Sequence, residues 1–246
     1  MVASYAVIFT ETGLSSRTSW SATFEGKTQF SITSTIAFTV VVAGSYSWSV
    51  STPVSGGVGT QYVAASSSGA MSVSSDTSQA IAYKTQYQLT VSANPPGTGA
   101  TAPAAGSYWY DSGTSLSVTA TSDSGYLFDS WLSDGSAVGS FGSVNPITIT
   151  MNGPHTLVAG FMTPAQATKK LINLKDSMNL PQGTANSLDA KLQAALDSIN
   201  SGQNRAAQNQ LSAFINEVNA QTGKKITLAQ AAQLTAAAND LISALE

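Results

Sequence analysis

Between Tyr87 and Phe161 the chain is a succession of short β-type segments: YQLTVSANPPGTG, GTSLSVTAT, GYLFDSWLSDGS and ITITMNGPHTLVAGF. Leu116, Val118 and Ala120 alternate with polar neighbours, as do Ile147, Ile149 and Met151, and Leu157, Ala159 and Phe161 form the closing strand. That period of two is the mark of a strand with one buried face. Prolines without a donor and glycines that favour turns interrupt the ladders at Asn94-Pro95-Pro96-Gly97, Asp111-Ser112-Gly113 and Asp134-Gly135. A long helix is excluded here. The stretch must fold as a small all-β module.

The region before it, residues 5 to 84, has the same texture. Trp20, Ala22 and Phe24 share one face of a strand, and Tyr46, Trp48 and Val50 share another with Ser45, Ser47 and Ser49 opposite. Glu25-Gly26-Lys27 and Ala43-Gly44 read as hairpin turns. Two weaker strands, GAMSVSSD and SQAIAYK, follow a loose loop, PVSGGVGTQYVAASSSG. Six or seven short strands with glycine turns predict a β-sandwich.

At Met162-Thr163-Pro164 the texture changes to Ala, Gln, Asn, Leu and Lys. Thr163 with Pro164 is a helix start. Ala167, Leu171, Leu174 and Met178 lie on one face of the first helix, which breaks at Leu180-Pro181-Gln182-Gly183. Thr184 or Asn186 starts the second, with Leu188, Leu192, Ala195, Leu196 and Ile199 inward. The third carries Ala207, Leu211, Phe214, Ile215 and Val218 and stops at Gly223; Thr227 caps a fourth. The fold class is therefore multidomain β + α: two small all-β, sandwich-like modules in series (1–84 and 85–162), then a four-helix bundle (163–246).

Composition narrows function. Charged residues make up 9% of the 246, net charge is −3 and cysteine is absent, where about a quarter of an average chain is charged. Arg17, Lys27 and Lys84 are too few to form a basic stripe before residue 163, so nucleic acid is not an expected partner. No run of about 18 apolar residues marks a transmembrane helix. The opening MVASYAVIFTE lacks a basic n-region and a cleavage signature, so no signal peptide is present in this chain and Met1 reads as the start of a mature domain or a fragment.

Reactive constellations are not legible. His155 is the sole histidine and reads as a turn residue. Asp111, Asp123, Asp129 and Asp134 lack the spacing of a calcium loop and read as turn chemistry. Glu11 reads as a solvated turn acid, with a side-chain crosslink to Lys27 as the competing role. Lys169, Lys170 and Lys175 read as a solvated helix face. No catalytic residue, cofactor or metal ligand is assigned, and the chain is read as not an enzyme. The aromatic residues Tyr46 and Trp48, and Tyr108, Trp109 and Tyr110, are the candidates for contact with a ligand or partner, set against a core role for one face of each group.

Three resemblances add to this reading. YAVIFTETGL, TSWSATFEG and STIAFTVVVAGSYSWSVS resemble a repeat of archaeal secreted and cell-surface proteins found near thermopsin-type peptidases, departing from it at Ser15, where such repeats carry Pro. YQLTVSANPPGTG, GYLFDSWLSDG and TITMNGPHTLVAGF resemble the divergent internalin-type B-repeat, in which the aromatic residues corresponding to Phe128 and Trp131 are core. LDAKLQAALDSINSGQNRAAQNQLSAFINEVNAQTGKKIT resembles the helical FIMAH module. Together they imply an extracellular or cell-surface, non-catalytic protein acting by spacing, adhesion or self-association, with a fibre subunit as one form. Its expected partners are other surface proteins, itself or polysaccharide. The alternatives are a carbohydrate-binding module and the non-catalytic C-terminal part of a larger secreted hydrolase.

Overall fold

The computed structural model describes residues 4–139 and 144–246; Met1 lies outside them. The first strands are β1 (Tyr5–Thr12), β2 (Trp20–Phe24), β3 (Lys27–Ser31), β4 (Thr35–Val40) and β5 (Gly44–Val50). After them come β6 (Val54–Ser55), β7 (Thr60–Ala64), β8 (Ser68–Val73) and the 18-residue β9 (Thr77–Asn94). Next are β10 (Gly99–Ala102), β11 (Gly106–Asp111), β12 (Ser115–Ser122) and β13 (Leu127–Ser133). Short β14 (Ser136–Val138), β15 (Ile147–Thr150) and β16 (His155–Met162) close the β portion. The helices are α1 (Pro164–Ser177), α2 (Gln182–Asn200), α3 (Asn204–Gln221) and α4 (Leu228–Ala244).

Contacts divide the chain into two compact units, the first made of 1–89, 107–116 and 149–155, the second of 90–106, 117–148 and 156–246. In the first unit one sheet runs β3-β2-β5-β8. In another, β1 pairs antiparallel with β4 and parallel with β9, Val7 facing Thr77 and Thr12 facing Ala82. β9 then pairs with β7, and β7 with β6. Alternation sorts the side chains: Ile36, Phe38 and Val40 of β4 are buried while Thr35, Ala37 and Thr39 are exposed. Phe9 is at the centre of the resulting core, its ring 6.0 Å from Phe24, 5.8 Å from Phe38 and 5.9 Å from Trp48.

The loop expected at PVSGGVGTQYVAASSSG is partly sheet. It supplies β6 and β7, and its Tyr62 is buried with its hydroxyl on Ser15 at 2.8 Å. The expected β2–β3 turn is present, with Glu25 at φ 52° and Gly26 at φ 73°, a pair of positive values that matches the twist of a tight hairpin.

In the second unit β13 pairs with β16, Trp131 opposite Ala159, with an irregularity between Phe128 and Ser130. β10, β12 and β15 form a three-stranded sheet. The four helices share one apolar core that also takes in Leu127 of β13 and Met162 of β16. α1 and α4 each begin with a reciprocal capping box, Thr163 with Gln166 and Thr227 with Gln230. α2 begins at Gln182, earlier than Thr184, behind Pro181 and with no side-chain cap. Proline's fixed φ suits a helix start, so no capping side chain is needed to set the entry. Because each box satisfies two orphan backbone donors, Thr227→Ala lowers stability by about 1 kcal/mol, measured as a shift of the urea midpoint at unchanged slope.

Candidate functional site

The aromatic residues singled out above separate into three environments. Trp48 is buried against Phe9 and Tyr46 lies against Phe24 at 5.3 Å, its hydroxyl donating to Val42 O at 2.5 Å. Both serve the core of the first unit. Tyr108 and Tyr110 are half-buried, their rings 6.5 Å apart on one face of β11. Trp109 points the other way and is 38% exposed.

Trp109 lines a shallow cavity of about 280 Å³ in the first unit, with Pro53, Ser55, Gly59, Gln61 and Gln88 among its walls. The register explains the grouping. Ser55 faces Gln61 across β6 and β7, and Gln61 faces Gln86 across β7 and β9. Gln61 Nε2 donates to Gln86 Oε1 at 2.8 Å, and Gln86 Nε2 donates to Asp111 Oδ1 at 2.8 Å on β11. Lys84 Nζ stands 3.8 Å from the other oxygen of Asp111. Directly opposed residues share a face of a sheet, so Ser55, Gln61, Gln86 and Asp111 form a polar row across four strands. One step along, Gln88 N donates to Gly59 O at 2.9 Å. Gly59 has φ +64°, and a Cβ there would lie 2.6 Å from Pro154, so only glycine lets the Pro154 ring pack against this end of the row.

The glutamines were not singled out by sequence reasoning. The alternation Lys84-x-Gln86-x-Gln88 was readable as one strand face, but its alignment with Gln61 and Asp111 is a long-range register that local pattern does not specify.

The carboxylates are engaged separately. Glu11 Oε2 accepts from Leu14 N at 3.3 Å, and Asp134 Oδ1 accepts from Thr156 N at 2.8 Å. Asp129 pairs with Lys170 at 2.5 and 2.6 Å. His155 Nε2 lies 2.9 Å from Asn152 Oδ1. Among the described residues no group of three or more His, Asp or Glu side chains is placed to hold a metal ion, and no helix is long and apolar enough to cross a membrane.

Lys175 corrects the reading of a solvated lysine face. It is 1% exposed, one turn after Leu171 on the buried stripe of α1, with its ammonium on Asp176 and Asp189. Burial pulls its pKa down, but the two carboxylates outweigh that and the net shift is upward. Across α2 and α3, Lys191 meets Glu217 at 2.6 Å. Burial pushes the Glu217 carboxyl up, while bonds from Lys191 and Ser187 hold it below its usual value.

A cavity of about 460 Å³ in the second unit is lined by Asp123, Tyr126, Phe128, Asn145, Asp240 and Ser243 among others. Burial raises the pKa of Asp240. The Asn145 side chain is occupied on both sides, donating to Ala120 O at 2.7 Å and accepting from Ala120 N at 2.9 Å. It acts as a surrogate strand neighbour rather than as a ligand group.

No curated protein matches the chain. Among solved structures, the major pilin protein (T-13) from Streptococcus pyogenes aligns with 65% of this chain and 96% of its own, at 8% identity and a TM-score of 0.22, a likeness too slight to carry an argument. The protein-family comparison is specific: residues 87–164 match the divergent InlB B-repeat domain and residues 165–243, directly after it, match the FIMAH domain.

Proposed function

We propose that this chain is a non-catalytic structural piece of a cell-surface protein, acting outside the cell by spacing and by association with copies of itself. The observation that carries the reading is the pair of abutting module matches over 87–243. Residues 1–84, whose Tyr5–Phe9 and Glu11-Thr12-Gly13-Leu14 segments resemble the archaeal surface repeat, are read as a further module of the same kind, although Glu11 and Thr12 continue β1 instead of turning. The boundaries 1–84, 85–162 and 163–246 are read as those of three modules joined in series.

Self-association has a physical route. β8 is an edge strand with β5 as its one neighbour among the described residues. Its sequence, SGAMSV, holds no charge and no proline, and Ser68, Gly69, Ala70 and Ser72 are exposed. Natural edges are ordinarily blunted by lysine, proline or a bulge, because unpaired backbone groups template a further strand. By contrast β3, the other edge of that sheet, begins with Lys27. An antiparallel pairing of two β8 strands makes the four-stranded sheet continuous across two chains, a self-complementary contact.

Light scattering across a concentration series tests this. Apparent mass rises with concentration for the native chain, and Ala70→Lys, which puts like charges opposite one another on that edge, lowers the association. A native chain that stays monomeric throughout the series contradicts the proposal.

A further inference from the structure

We propose that the outer face of β6, β7, β9 and β11 is a binding strip for a neutral oligosaccharide, with the Trp109 indole as its stacking surface. The strip goes beyond the structural role above and would give a surface protein something to hold. Four features of one face lead to it.

The first is the exposed ring. Trp20, Trp48 and Trp131 are buried, whereas Trp109 stands 38% exposed at the wall of a 280 Å³ cavity. An indole presents a flat apolar body, the shape that covers the C–H face of a pyranose ring.

The second is the direction of the hydrogen bonds. An ionised Asp111 only accepts, so it turns the Gln86 amino group toward itself. The Gln86 carbonyl then takes the Gln61 amino group, which leaves the Gln61 carbonyl oxygen as an acceptor with no protein partner among the described residues. Ser55 Oγ accepts from Gly57 N at 3.3 Å, so its own proton is available to donate. Gln88 adds a complete amide beside Trp109. Donor and acceptor groups thus alternate along the row, as the hydroxyls of a sugar require.

The third is charge. The acid in the row, Asp111, has Lys84 beside it at 3.8 Å. The remaining polar groups are amides and a hydroxyl, so the strip favours neither an anionic nor a cationic ligand.

The fourth is length. Three inter-strand spacings separate Ser55 from Asp111, about 14 Å, and Pro154, packed on Gly59, bounds the strip on the neighbouring row. That is room for a short oligosaccharide rather than for one ring.

The test titrates the full chain with neutral hexaoses built on glucose, mannose, xylose and N-acetylglucosamine, read by tryptophan fluorescence and by calorimetry. Only one of the four tryptophans is open to ligand, so a bound sugar changes the emission of Trp109. At least one hexaose binds more tightly than about 1 mM. Trp109→Ala weakens it by about tenfold, the value of one good aromatic contact, and abolishes the fluorescence change. Gln61→Leu, which keeps the side-chain volume and removes the acceptor, weakens it severalfold. Both positions are partly exposed, and unchanged circular dichroism of the variants shows that folding is intact. No calorimetric binding by any of the four hexaoses up to about 10 mM, an affinity weaker than about 3 kcal/mol, overturns the proposal, as does equal affinity of Trp109→Ala and the native chain. Self-association measured by light scattering is a separate readout, so this proposal and the structural one fail independently.

Discussion

Trp131→Ala lowers the stability of the second unit by about 3–5 kcal/mol, the range for deleting a large buried aromatic side chain. The indole is fully buried on β13, with the small Ala159 opposite and the Phe128 ring 5.7 Å away. Phe128 in turn meets Phe161 at 6.0 Å. Truncation at Trp131 therefore removes the fully buried member of an aromatic cluster whose neighbours are held by two paired strands and cannot close over the gap. The indole also has a weakness. Its Nε1 is buried with no hydrogen-bond partner among the described residues, and an orphaned buried donor costs about 1–3 kcal/mol. Trp131→Phe removes that donor while keeping most of the apolar volume, so its loss is about 1–2 kcal/mol, the ring-size deficit being partly offset. Urea unfolding followed by helical circular dichroism, which reports the same unit, measures both. Were Trp131 a ligand platform instead, Trp131→Ala would leave the urea midpoint where it is.

Lys175 produces the second large effect, and its sign depends on the replacement. Lys175→Ala deletes the three buried methylenes beyond Cβ and lowers stability by about 2–3 kcal/mol, at about 0.8 kcal/mol per buried methylene. Lys175→Met refills that volume and stays within about 1 kcal/mol of the native chain or exceeds it. The difference arises because the partners are not buried with the lysine: the side chains of Asp176 and Asp189 are 58% and 43% exposed. Without the ammonium they are solvated, whereas a partner left uncompensated in the core would be far more costly. The pH dependence follows from the upward pKa shift. A lysine with a folded pKa above its unfolded value contributes stability that is fully present below 10.5 and is lost as pH rises through the folded value. The native chain therefore loses stability in that alkaline window and Lys175→Met does not. Equal alkaline losses in the two chains contradict the assignment.

Lys175 also shows where sequence reading stops. The sequence marks the buried stripe by Ala167, Leu171, Leu174 and Met178, and its charge makes Lys175 read as solvated; Asp176 beside it and Asp189 on the next helix make its burial tolerable. Thr163 and Thr227 were readable as helix starts because capping is local chemistry, carried by residues three apart. Alternation groups Trp20, Ala22 and Phe24, and Tyr46, Trp48 and Val50, on shared faces, and the structure turns those faces inward with Tyr46 half-buried, since one buried side of a strand imposes a period of two. What local pattern lacks is partnership. β9 runs unbroken from Thr77 to Asn94 through the residues expected to separate two modules, because nothing in SQAIAYKTQYQLTVSAN punctuates it. Its parallel pairing with β1 joins residues about seventy apart in sequence. β6 and β7 sit among glycines and serines that mimic a loop. For the same reason the Ser55, Gln61, Gln86 and Asp111 row was invisible, while Trp109, a large aromatic residue on a short strand, was not.

The claim on which the account turns is that the chain meets its own copies through the edge of β8. Amide hydrogen exchange of residues 68–73, followed as protein concentration is raised, tests it most directly. The account predicts that protection of the β8 amides turned away from β5 increases with concentration, and that Ala70→Lys abolishes the increase. Exchange at 68–73 that is the same at every concentration contradicts it.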